Sequence, residues 1–159
     1  MNDLIKELRE ETGVSVMQCK KALDAAGGDK AKALAIIKEK AGEAAAKKGD
    51  RTLNATQIAA YVHSSGTVGV MIELACETDF VARNPEFKAM AYDIAMHTAA
   101  TNPVAVKADG APAGTPAESI LLDQPFIKNP ELTVAGLLSS ATQKFGEKIE
   151  ITRFTRYSA

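Results

Sequence analysis

Two hydrophobic periods alternate along the chain. Up to about residue 40, apolar positions recur every three or four residues, as in helices with one buried face. Leu4, Ile5 and Leu8 share one side of a first helix, which Asp3 is placed to cap and Gly13 to end. "SVMQ", Ser15 to Gln18, is a capping-box pattern that starts a second helix, expected to bury Val16 or Met17 with Leu23 and Ala26 and to stop at Gly27-Gly28. Asp29 caps a third, carrying Leu34, Ile36 and Ile37.

The period becomes two in "QIAAYVHSSGTVGVMIELAC". Ile58, Ala60 and Val62 alternate with Gln57, Tyr61 and His63. Ser64 to Thr67 form a hairpin turn, and Val68, Val70, Ile72, Leu74 and Cys76 make the apolar face of a second strand. Asn84-Pro85-Glu86 opens a helix with Phe87, Met90, Ala91, Ile94 and Thr98 on one face and His97 at the polar side or its edge. "TNPVAVKADGAPAGTPAES" reads as a long loop with an extended piece at Val104–Val106, and "AESILLDQPF" as one or two helical turns. Thr133 caps a helix through Leu137, Leu138, Ala141 and Phe145 that ends at Gly146. A last strand follows, with Ile149 and Ile151 inward and Arg153 and Arg156 near the surface. The expected fold is α+β: a three-helix module over 1–42, a helix tail and linker over 43–55, and a core over 56–159. That core has an antiparallel three-stranded sheet with helices on one face.

Composition narrows the function. The chain has 159 residues, 46% apolar, with a formal net charge of −1. That balance argues against nucleic-acid binding by bulk charge. The N-terminus lacks a signal-peptide apolar core and no segment is long enough to span a membrane, so a reducing cytoplasm is expected. Cys19 and Cys76 lie in separate segments without metal-ligand spacing, so no metal or other cofactor is expected. "GGDKAKA" does not end in the Gly-Lys-Ser/Thr of a phosphate-binding loop.

The question is "MIELACETDFVARNPEF", where an acid and an aromatic stand side by side, Asp79-Phe80, at a strand end. A catalytic acid, a metal site, a cap and a wedge for a partner protein are all open. His63, Cys76 and Asp79 suggest a nucleophile site, but Cys76 falls on an apolar face and no nucleophile–base spacing is visible. In the bland reading Asp79 caps the following turn and Phe80 is core. Lys20-Lys21 and Lys47-Lys48 read as solvated faces or as contacts to an acidic partner surface.

Six segments carry a resemblance: "TGVSVMQCKKALDAAGGD", "AAAKKGDR", "ELACETDFVARNPEF", "DIAMHTAA", "LLDQPFIKNPELTV" and "KFGEKIEITRFTRY". In this order the chain resembles the bacterial elongation factor Ts family, exchange factors of the GTPase elongation factor Tu. The resemblance implies an N-terminal bundle like a ubiquitin-associated domain, no enzymatic chemistry, and elongation factor Tu, GDP-bound or nucleotide-free, as partner. It implies that Asp79-Phe80 enters the partner's GTPase domain near its magnesium and phosphates, with Thr78 and Val81 in the mount. Lys20, Lys47, Lys48, His63, Phe145 and Gly146 match further positions tied to partner contact. Phe-Gly and Glu-Lys stand here where members usually have Ile-Gly or Leu-Gly and Glu-Asn. A short loop replaces the family's long helical insertion. Short relatives dimerise through the core sheet, and a homodimer is expected. The alternative is a docking module with a different partner.

Overall fold

The computed structural model describes residues 2–159. Helices α1 (Asn2–Thr12), α2 (Val16–Ala25) and α3 (Lys30–Lys47) form a small bundle around Leu8, Val14, Cys19, Ala22, Leu23, Ala33 and Ile37. The capping box of α2 is complete: Ser15 Oγ accepts from Gln18 N–H, and Gln18 Oε1 accepts from Ser15 N–H. Asp29 caps α3 by accepting from Lys32 N–H. Asp3 is not a cap. It lies inside the first turn of α1, where its charge complements the helix dipole. Val16 and Met17 are exposed, and Cys19 and Ala22 take the core side instead. A bundle this small has room for few large side chains, so small residues set the phase of α2.

Strands β1 (Ala55–Val62), β2 (Val68–Cys76) and β5 (Glu150–Ser158) form an antiparallel sheet in the order β1-β2-β5. Val70, Ile72, Leu74 and Cys76 face inward, with Ile149 and Ile151 beside them. On β1 the inward side is the reverse of the expected one. Ala59 is buried and Tyr61 packs on the core, whereas Ile58 and Val62 are exposed. Helix α5 (Pro85–Thr101) covers the inner face, capped by Asn84 and starting at Pro85, with Phe87, Ala91, Ile94 and Ala95 in the core. Helix α6 (Val134–Phe145) is capped by Thr133, ends at Gly146 in the left-handed region (φ 72°), and packs along α3. A one-turn helix, α4 (Asp79–Ala82), joins β2 to α5.

Two further features depart from the sequence reading. Pro125–Phe126 (β3) and Asn129–Thr133 (β4) form a second, two-stranded sheet beside α6. His97 is fully buried, not at a polar edge. Its Nδ1 accepts from Ile127 N–H at 3.1 Å, so Nε2 carries the proton and donates to Gln124 Oε1 at 2.9 Å. Burial holds the imidazole below its ordinary pKa, only partly offset by the Gln124 bond.

Candidate functional site

Phe80 is the most exposed large apolar side chain among the described residues, at 82%. It stands on α4, a single turn between the end of β2 and the start of α5. A core role for Phe80 is therefore excluded. Leaving a Phe in water forgoes about 2 kcal/mol of burial, which contact with another surface would recover. Asp79 is not the cap of this turn. Thr78 is, its Oγ1 accepting from Val81 N–H at 3.4 Å. The Asp79 carboxylate points to solvent and pairs with Arg83 at 3.3 Å, an exposed i,i+4 contact worth about 0.5 kcal/mol or less. Val81 is buried with Ala82 and anchors the turn from beneath, so it offers no surface to a partner.

Under α4 lies a set of bonds that local sequence patterns do not signal. Glu147 Oε2 accepts from the N–H groups of Glu77 and Thr78, each at 3.0 Å, and Oε1 accepts from the Thr78 hydroxyl. Glu77 reciprocates, with Oε1 accepting from Lys148 N–H at 2.6 Å. That bond, with Arg51 at 3.3 Å, holds the Glu77 carboxyl below the usual carboxylate range. Lys148 Nζ donates to Gly49 O at 2.6 Å, so the linker after α3 joins the same network.

The sequence-derived candidates fall into three places. Lys48 lies close enough to Glu77 to lower its pKa, so the end of α3 and the α4 turn are neighbours. Phe145 and Gly146 immediately precede Glu147, but the Phe145 ring is half-buried, edge-on to Phe87 at 5.9 Å and beneath the Lys144 ammonium. Lys47 and Gly146 are exposed. His63 is elsewhere. It follows β1 at the hairpin turn, where Nδ1 lies 2.8 Å from Ser65 Oγ, while Thr78 follows the opposite end of β2, roughly 25 Å away along the strand. Lys20 is exposed on α2 of the bundle.

That separation also bears on the nucleophile reading. Cys76 and His63 sit at opposite ends of the hairpin. Burial, with the Glu147 charge, pushes the Cys76 thiol up to about 11, and its S–H donates to Thr78 O at 3.2 Å. A buried thiol without a base is inert. Among the described residues no group of three His, Cys, Asp or Glu side chains is placed to hold a metal ion, and no helix is long and apolar enough to cross a membrane.

Comparison with known proteins gives the family. A family model described as elongation factor TS matches residues 2–117. The chain is 41% identical to elongation factor Ts of Carboxydothermus hydrogenoformans over 189 aligned positions, covering 98% of this chain and 87% of that protein. It is 39% identical to elongation factor Ts of Anaeromyxobacter sp. (98% and 86% covered) and 40% identical to that of Oleidesulfovibrio alaskensis (97% and 94% covered). The alignments are longer than the 159 residues of this chain, so these relatives carry additional residues within the matched span.

Proposed function

Because this chain belongs to the elongation factor Ts family, we propose that it is the guanine nucleotide exchange factor for elongation factor Tu in translation elongation, working in the cytoplasm. In this reading Asp79-Phe80 inserts near the magnesium and phosphate site of the GTPase and GDP leaves. No covalent chemistry is needed. A protein that binds the nucleotide-free partner better than the GDP-bound one weakens GDP binding by the same factor that GDP weakens its own. The observation that carries the reading is the exposure of Phe80 on a turn fixed from below. A rigid aromatic brings large contact area with few rotors to freeze. Lys47 and Lys48 supply charge contacts near the α4 turn, and Lys20 supplies one from the N-terminal bundle.

The outer face of the sheet supports the homodimer. Ile58, Val62, Met71 and Tyr157 are exposed there and lie on neighbouring strands, with Val62 opposite Gly69 and Gly69 opposite Tyr157. A contiguous apolar face of this kind marks an interaction surface. A second copy gives the assembly a second wedge.

The deciding experiment is release of a fluorescent GDP analogue from elongation factor Tu. Wild-type chain should accelerate release at substoichiometric concentration, and Phe80→Ala should lose most of that effect. A wild type that leaves the release rate unchanged would return the chain to a docking module for another partner.

A further inference from the structure

Helix α4 is four residues long, far short of the roughly 12 residues at which a helix becomes marginally stable alone. Its shape must be imposed from outside. The Phe80 ring makes no dense packing that would hold it, so its direction depends on the backbone of residues 78–82. Val81 and Ala82 seat the turn in the core. What fixes the entry to the turn is Glu147. One carboxylate takes two consecutive backbone N–H groups and the hydroxyl of the capping Thr78, which itself accepts from Val81 N–H. The relay runs from Val81 through Thr78 to a charged acceptor, and such chains strengthen one another. The reverse bond from Lys148 N–H to Glu77 makes the contact a cross-brace, so neither segment slides along the other.

We propose that Glu147 is a positioning residue for exchange: its carboxylate, held at the α6–β5 turn, aims Phe80 by bracing the Glu77–Thr78 backbone. The inference rests on the exchange reading and deepens it. Glu147 need not touch the partner. It removes the ordering cost that a loose α4 turn would add on binding.

Two measurements test it. In the free protein, hydrogen exchange of the bonded amides of this segment, those of Thr78, Val81, Ala82 and Arg83, should speed by about tenfold in Glu147→Ala, with Glu147→Gln between it and wild type because one acceptor oxygen remains. Exchange in α5 and in the bundle should not change. Unchanged protection at the bonded amides of 78–83, or a uniform loss across the core, overturns the brace. The second is a double-mutant cycle on GDP release with Glu147→Ala and Phe80→Ala. Glu147→Ala alone should cut stimulation by about tenfold, and nothing further should be lost when Phe80 is already Ala. Additive losses would make Glu147 an independent contact and overturn the assignment. If wild type fails to stimulate release, the exchange reading fails, and hydrogen exchange still decides the brace.

Discussion

The buried His97 imidazole accepts the Ile127 amide at 3.1 Å, joining α5 to the turn between β3 and β4 through a single titratable ring. Its pKa in the folded protein is lowered by burial, so the unfolded chain binds the proton more readily. The stability this neutral ring contributes is whole above its unfolded pKa of about 6.5 and is lost as pH falls towards the folded value. Thermal melts should show a loss beginning below about pH 6.5 that is absent in His97→Gln. Glu77, with its carboxyl held low, contributes stability that is lost only at more acid pH, as its folded pKa is crossed. A wild-type melting curve flat from neutrality down to the carboxylate range would contradict the assignment of His97.

Phe80 and Phe87 are seven residues apart and have opposite environments, 82% and 0% exposed. Phe87→Ala should cost about 3–5 kcal/mol, as large core truncations do. Phe80→Ala should change stability by no more than about 0.5 kcal/mol. Its GDP-release activity should nonetheless fall more than about tenfold, the scale of a lost anchor. Urea denaturation and nucleotide release, measured on both variants, should give opposite rankings. An early-melting Phe80→Ala with normal release would sink the wedge.

Lys20 is exposed on α2 and has no salt bridge among the described residues. Lys20→Ala should leave the melting midpoint in place and weaken association with elongation factor Tu by several-fold at low salt. The deficit should shrink as ionic strength rises and the Debye length falls to about 8 Å or less. Equal affinities of the two proteins in low-salt titrations would assign Lys20 to the solvated face.

Met71 lies at the centre of the outer sheet face, opposite Ala60 on one side and Thr155 on the other. Met71→Lys places a charge in the proposed dimer contact and should halve the mass seen by light scattering, with little change in the far-ultraviolet spectrum. A wild type that already scatters as a monomer at micromolar concentration removes the homodimer.

What the sequence made legible was short in range. Ser15 with Gln18, Asn84 with Pro85, and Thr133 with Gly146 are caps written within a helix's own ends, and all three occur as expected. The inward face of β1 was not legible, because both sides of that strand carry apolar residues and period two alone does not choose between them. The β3–β4 pair hides behind Pro125 and Pro130, which weaken any strand reading. His97 looked polar because its partners, Gln124 and Ile127, lie 27 and 30 residues away. Phe80 stood out beside Asp79 at a strand end, but only the family resemblance favoured a wedge over a core residue, since isolated aromatics give no local sign of exposure. Glu147 was missed for a related reason: its partners lie 69 and 70 residues before it.

Helix α3 begins inside the bundle, with Ala33 and Ile37 in its core, and finishes against α6, where Ala45 faces Leu138 across a small groove. Its 18 residues make a rod about 27 Å long. Such a rod transmits torsion. Each added residue would turn everything N-terminal to it by about 100°, so one inserted alanine near residue 40 would swing Lys20 around the axis while Phe80 stayed in place. The bearing of one contact relative to the other is therefore recorded in the number of residues of α3 rather than in their identity.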